Sequence, residues 1–397
     1  MGEFCCRICG SKGEKYHSLF RWDLPLAADI KDKPISCKRY SVEPVICTEC
    51  GHVQLKDTLD IDMYDNYLYT PSFAKEFQEY ISEFADFVDH LNVEKRVVEI
   101  GSSNGYLLKA MQKRGWEVLG FEPSSVLANE AGQNGVPTIQ RCFGNEESVQ
   151  NIKKWGTPNV VIMRHVMEHL DDLNGIVSAV GDILQEGMFV IEVPWLLKII
   201  KEKQFYAFFH EHLSYFSITV LRNLLKKYGF DVMDVKENSL EGGSIAVYAY
   251  KGKNMCCNEK NVSTYLELEK EWCSIEKVRS FSDEVNQQIG RIKEIVDVEK
   301  KSGRKVAAWG AGQRGVTLLN ICGFKQTDID YIIDVNENYW WKYVLGVDIQ
   351  IVPPSWLEDH YVDSIIILAT GYADEIISEN SNYLCQGGRF IRIIEEM

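Results

Sequence analysis

Two C-x-x-C pairs, Cys6/Cys9 in CRIC and Cys47/Cys50 in CTEC, carry the clearest chemical potential near the start of the chain. That spacing lets two thiolates of one turn face one ion, and the glycine after each pair (Gly10, Gly51) permits the left-handed turn that folds backbone amides over the sulfurs. Four soft donors with tetrahedral reach suit a structural Zn2+ ion, with Cys5, Cys37 and His52 as reserve ligands. A redox role fits less well, because neither pair follows a strand and opens a helix. A closed four-thiolate site has no open position, so its metal would fold the module rather than react.

A second chemical feature lies in RVVEIGSSNGYLLKAMQKRG followed by WEVLGFEPS, which reads as strand, glycine-rich turn, helix, strand. The pattern Glu99-x-Gly101-x-x-x-Gly105 departs from the dinucleotide fingerprint and suits a ligand without a pyrophosphate. Gly101 allows backbone to approach that ligand. Glu122, at the end of the next strand, can accept both hydroxyls of a ribose. Ribose without pyrophosphate points to S-adenosylmethionine, held by Glu99, Gly101, Ser102, Gly105, Glu122 and Pro123. In PNVVIMRHVMEHLDD a further strand runs into the same crevice with Arg164, His165 and Glu168 at its mouth, whereas His169 and Asp171/Asp172 read as the start of the following helix.

The third feature is FYAFFHEHLSYFS, where His210 and His212 flank Glu211 among aromatics. No third metal ligand stands at a suitable spacing and the H-E-x-x-H pattern is absent, so a histidine tuned toward neutrality as a general base fits better than a metal site. Between the cysteine module and the first helix, Tyr67, Tyr69 and Ser72 could close over the crevice or serve as ordinary linker residues.

These groups need elements to position them. A helix is expected over Ser72–Leu91, a seven-stranded sheet closing with GFDVMDVKE and SIAVYAYKG, and a long charged helix over Ser263–Ser302. KVAAWGAGQRGVTLLN then opens a second strand–turn–helix with Gly310, Gly312 and Gly315, and Asp334 follows at a strand end. That turn could hold a dinucleotide, with Asp334 on its ribose, or the diphosphate of a nucleotide-sugar, or no ligand. The chain of 397 residues is 45% hydrophobic and 25% charged, and Lys+Arg 43 against Asp+Glu 58 leaves a net charge of −15, which argues against nucleic acid as a partner. No apolar run approaches the roughly 20 residues that span a bilayer. With no secretory signal at MGEFCCRICG, a cytoplasmic location and reduced thiols are expected.

Taken in order, CRIC with PVICTECGHVQL, VVEIGSSNGYLL with GFEPS, HEHLSYFS, EGGSIAVY and VAAWGAGQRGVTLLN resemble one family over nearly the full length: the zinc-containing sugar C-methyltransferases that act on nucleotide-linked keto-deoxysugars. The resemblance implies an α/β chain with a zinc-binding module over residues 1–70, a class I methyltransferase Rossmann-like domain over 71–255 and a second Rossmann-like domain over 256–397. It implies that Cys6, Cys9, Cys47 and Cys50 hold zinc, that Glu122 holds the ribose, and that Glu211, His212 and Tyr69 surround the reacting centre. The sugar side is expected at Tyr67, Ser72, His210, Gly242, Gly243, Ser244, Gly310, Gly312 and Arg314, and the cofactor side also at Arg164 and His165. Three stretches depart from the family: Phe209 replaces a tyrosine, Glu241-Gly-Gly-Ser-x-Ala246 replaces His-Gly-Gly-Ser-x-Arg, and Thr70–Phe73 is altered. These departures bear on the sugar pocket. The reaction expected is C-methylation through an enolate, with O- or N-methylation, or NAD-dependent oxidoreduction by the C-terminal part, as the competing readings.

Overall fold

Among the apolar runs, VVIMR and GMFVIEVP read as strands buried on both faces, as in a parallel sheet covered by helices. The computed structural model, which describes residues 4–26, 30–34, 36–59, 75–90, 94–239, 242–253 and 257–393, places them side by side at the centre of a seven-stranded sheet. Its strands are β1 (Arg96–Ile100), β2 (Glu117–Phe121), β3 (Thr138–Ile139), β4 (Val160–Arg164), β5 (Gly187–Pro194), β6 (Asp231–Asn238) and β7 (Ser244–Lys251). The order is β3-β2-β1-β4-β5-β7-β6. The first five run parallel and β7 runs antiparallel to both of its neighbours. The carboxyl ends of β1, β2 and β4 therefore open on one edge, where a doubly wound sheet binds its ligand. The expected helix before β1 spans Lys75–Asp89 in its described part.

A second, five-stranded sheet consists of β8 (Val306–Trp309), β9 (Ile332–Ile333), β10 (Ile351–Val352), β11 (Ser364–Ile367) and β12 (Arg389–Arg392), ordered β10-β9-β8-β11-β12 and parallel throughout. The single helix expected over Ser263–Ser302 is instead two, Glu259–Trp272 and Ile275–Lys301. Two side chains account for the break. Ser274 Oγ accepts from Lys277 N and caps the second helix, while buried Glu269 at the end of the first accepts from Trp195 Nε1, Ile218 N, Thr219 N and Thr219 Oγ1. One helix is thus anchored to the methyltransferase sheet. The next leaves it for the second sheet.

The cysteine module is not an appendage. Tyr16–Ser18, Pro44–Cys47 and Val53–Leu55 form an antiparallel sheet whose fourth strand, Ser214–Tyr215, comes from the histidine segment, with Ser214 opposite Gln54 and Tyr215 opposite Val53. Val53 and Leu55 share one apolar core with Phe205, Phe208, Phe281 and Ile332, while Cys6, Ile8 and Cys47 pack with the methyltransferase sheet. Arg7, inside the first C-x-x-C turn, donates to Leu55 O at 2.7 Å, Leu213 O at 3.3 Å, Thr58 Oγ1 at 2.6 Å and Asp171 Oδ1 at 2.8 Å. No described helix is long and apolar enough to cross a membrane.

Hydrogen bonds from a charged donor contribute about 1.5–3 kcal/mol each. Arg7→Met is accordingly expected to lower both thermal stability and turnover while leaving cofactor affinity within roughly twofold, as read by calorimetry and steady-state kinetics. Unchanged turnover would show that the tether does not act on the histidine segment.

Candidate active site

The glycine-rich turn after β1 folds because Gly101 can adopt φ +72, where an added Cβ would also lie 2.2 Å from Val166 Cγ2. Its amides are tied back by Gly101 N and Ser102 N, both donating to Phe121 O. At the end of β2 the Glu122 carboxylate accepts from Ser103 N and Ser124 N, each at 2.9 Å. Burial pushes the Glu122 carboxyl up and those two amides oppose it. Glu99 is more isolated. Its Oε2 has no hydrogen-bond partner among the described residues, and burial, only partly offset by Arg164, raises its pKa to about 8, which favours the neutral carboxyl until a cation enters beside it.

Beside it Glu192, on β5, collects a buried network that spacing could not reveal. It accepts from Arg164 Nε at 2.7 Å and Tyr80 Oη at 2.8 Å, and meets His165 Nε2 and Asn238 Nδ2 at 3.2 Å. Burial alone would favour its neutral form, but Arg164 and His165 outweigh that and hold it ionised. His165, at φ +52, also faces Glu168 at 3.5 Å, and although burial works against its charge the two carboxylates raise it to about 10. Arg164 and His165 therefore form the floor of the crevice.

The histidine segment closes the other side. Leu213 N donates to Glu168 O at 2.7 Å, which ties the segment to the turn after β4. His212 is buried, its ring 4.1 Å from that of Phe209 and 4.9 Å from that of His169. Burial first, then His169, Arg314 and His165, push the His212 pKa well below that of free histidine. His169 Nδ1 bonds to Glu211 O at 2.8 Å. If that nitrogen carries the proton, as a carbonyl partner requires, Nε2 is the acceptor. Reading His169 as part of the following helix missed this: the residue lines the cavity, and Asp172 alone caps that helix, accepting from Gly175 N. The signal available was an E-H dipeptide just past a strand end.

One cavity of about 360 Å³ is bounded by Glu99, Gly101, Ser102, Glu122, Pro123, Arg164, His165, Glu168, His169, Phe209 and His212 from the central sheet, and by Gly242, Gly310, Gly312, Arg314 and Thr370 facing them. Gly105, Gly243, Ser244, His210 and Glu211 are not among its lining residues. Gly105 starts the helix Tyr106–Gln112, Gly243 O accepts from Trp195 N, and His210 Nε2 lies 3.2 Å from Tyr40 O in the cysteine module. The Glu211 side chain is buried, and its backbone oxygen is the partner of His169 Nδ1. Asp334, off the cavity, accepts from Ala311 N and Asn336 N. Tyr67, Tyr69, Ser72 and Glu241 lie outside the described residues.

The four thiols of Cys6, Cys9, Cys47 and Cys50 all fall within 4.8 Å of one another, with Cys6 to Cys50 at 3.6 Å and Cys9 to Cys47 at 3.7 Å. A tetrahedral ion with Zn–S bonds of about 2.3 Å requires sulfurs about 3.8 Å apart, so the cluster is compatible with zinc. None of the three reserve ligands belongs to it. His52 instead sits buried, Nε2 3.2 Å from Ser214 Oγ on the histidine strand.

Sheet order, glycine turn and strand-end carboxylate define a class I S-adenosylmethionine-dependent methyltransferase. Residues 73–235 match the family model of a methyltransferase domain, and residues 239–394 match that of a C-methyltransferase C-terminal domain. The chain is 30% identical to the C-methyltransferase NovU of Streptomyces niveus over 98% of its own length and 95% of that protein. It belongs to this C-methyltransferase family. Among solved structures, magnesium protoporphyrin IX methyltransferase of Synechocystis PCC 6803 with bound SAH is 16% identical, with a TM-score of 0.36 over 44% of this chain and 83% of that one. A possible histamine N-methyltransferase of Thermotoga maritima is 20% identical, with a TM-score of 0.33 over 46% of this chain and 97% of that one. At that level these likenesses carry no argument.

Glu122→Ala is expected to weaken S-adenosylmethionine binding at least about tenfold, the equivalent of one charged hydrogen bond. Isothermal titration gives the answer, and an unchanged Kd would remove Glu122 from the ribose site.

Proposed function

We propose that the enzyme C-methylates a nucleotide-linked 4-keto-deoxysugar through an enolate. The observation that carries this reading is a buried, neutral His212 in the same cavity as the cofactor crevice, with the Arg314 guanidinium of the C-terminal domain on the opposite wall. A ketone acidifies the hydrogen on the adjacent carbon. His212 accepts that proton, the C–H bond breaks, and the electron pair forms the enolate. S-adenosylmethionine supplies the electrophilic methyl group, so that a C–C bond forms as the methyl–sulfur bond breaks. His169, beside His212, can receive the proton in turn, while Glu211 orients the pair through its carbonyl. Tyr69 serves as a donor to the developing oxyanion, which matters more in a chain whose residue 209 is phenylalanine. Phe209 packs on His212 and leaves no hydroxyl there to act as base or donor.

On this reading Glu99 pairs with the ammonium of the cofactor, and Arg314 with the turn at Gly310 and Gly312 meets the substrate diphosphate, with Tyr67 and Ser72 closing the sugar side. The four-cysteine cluster holds zinc as a folding element. The sequence assignment of residues 1–70, 71–255 and 256–397 to three units is retained as a proposal about function, although their cores interlock. The C-terminal part acts as a substrate wall; Asp334 does not line the cavity, which disfavours an NAD site there.

A positioned base contributes about 10²–10⁴-fold to the rate. His212→Gln is expected to lower turnover by at least the smaller factor with cofactor affinity retained. In deuterium oxide without cofactor, the wild-type enzyme is expected to exchange the hydrogen beside the sugar carbonyl, as read by NMR. Methylation without such exchange would favour an O- or N-methyltransferase. Because its environment depresses the His212 pKa, the base form persists as pH falls, so the exchange rate is expected to stay flat down through pH 6.5. A decline centred at or above the ordinary histidine value would contradict the assignment.

A further inference from the structure

We infer that Gln204 is a positioning residue that aims Arg314 at the anionic part of the substrate, an inference that rests on the proposed role of Arg314. Gln204 is fully buried, an unusual place for a primary amide, and each end of it has a partner in a different part of the molecule. Its Oε1 accepts from Arg314 Nη1 at 2.9 Å. Its Nε2 donates to Gly242 O at 2.7 Å and to Glu202 Oε2 at 2.7 Å. Because that nitrogen faces two acceptors, the orientation of the amide follows from the network.

Gly242 completes the arrangement. It stands at φ +73, and an added Cβ would lie 2.2 Å from Arg314 Nη1 and 2.8 Å from Gln204 Oε1. The turn between β6 and β7 therefore carries a glycine at a point where the guanidinium of the C-terminal domain comes close to its backbone. Three segments distant in sequence thus meet on one amide: the loop that leads into the histidine segment, the turn before β7, and the glycine-rich turn after β8. An arginine projecting from the first turn of a helix, Gln313–Cys322, into an open cavity samples many rotamers, and holding it costs side-chain entropy at each binding event. A buried neutral acceptor fixes one donor of the fork without cancelling its charge. A carboxylate at the same position would neutralise the cation the substrate needs and would turn one oxygen toward Gly242 O and Glu202 Oε2, which require a donor.

That contrast supplies the test. Steady-state KM for a nucleotide-linked 4-keto sugar and Kd for S-adenosylmethionine are measured for Q204M, Q204E, R314M and the double variant Q204M/R314M, with circular dichroism melts as a control for folding. R314M is expected to raise the sugar KM at least tenfold and Q204M at least fivefold, each with cofactor Kd unchanged. Q204E is expected to raise KM as well, because its carboxylate neutralises Arg314 and faces Gly242 O and Glu202 Oε2 without a proton to donate; an unchanged melt and cofactor Kd separate this from loss of the fold. In the double variant the Q204M effect should vanish, because the amide acts through the arginine. If R314M leaves KM unchanged, the reading of Arg314 as a substrate contact fails. If R314M raises KM but Q204M and Q204E do not, or if the double variant shows the full product of the single effects, the positioning role of Gln204 is overturned.

Discussion

The active site depends on a two-residue strand pairing. Ser214–Tyr215, which Leu213 alone separates from His212, adds itself to the edge of Val53–Leu55, so the candidate base hangs from a sheet whose other end is organised by four thiols. The link is reinforced on both sides by polar contacts, the buried pair of His52 with Ser214 and the partly buried one of Arg7 with Leu213 O. A loop of this aromatic content would otherwise collapse onto any apolar surface. The pairing gives it one register, and a shift by one residue would turn Tyr215 out of its core and move His212 away from His169.

The electrostatics of the cavity follow from a division of labour among buried groups. Glu192 stays ionised because Arg164 and His165 face it, and His165 stays cationic because it lies between Glu192 and Glu168. His212 is buried with His169, Arg314 and His165 around it, and these outweigh the Glu168 carboxylate within 4.8 Å, so it stays neutral. Two histidines of one cavity are thereby driven in opposite directions, one toward fixed charge near the cofactor and one toward the free base needed for proton abstraction. Arg314 contributes to the second effect from the far wall. On the proposed mechanism, substrate anion and catalytic base are served by the same cation.

The parts of this site that could be read from sequence are those whose chemistry is local. C-x-x-C spacing, the Glu99–Gly101–Gly105 turn and Glu122 one strand later are short-range patterns, and the structure brings Glu99, Gly101 and Glu122 to one cavity and the four cysteines to one cluster. What could not be read depends on tertiary pairing. His169 belongs to the site only because the turn after β4 faces a segment some forty residues later, and Gln204 matters only through partners on two other elements. The histidine pair H-x-H shows the converse: strand alternation would put both rings on one face, but a turn closed by His212 N donating to Phe209 O sends His212 into the cavity and His210 to the cysteine module. The long charged helix was misjudged for a related reason, since only the inward turn of Glu269 toward the helix start at Ile218 reveals that the chain changes partner at Cys273.

The most direct test of the proposed coupling is to remove metal from the native enzyme with a thiol-compatible chelator and follow two signals on the same sample. The account predicts that S-adenosylmethionine binding, which rests on β1, β2 and β4, persists within a fewfold, while proton exchange at the substrate carbon falls by at least about 10², as for loss of the base itself, and returns when zinc is restored. Exchange that continues undiminished after the metal is gone would contradict it, because the histidine segment would then be shown to hold its place without the cysteine module.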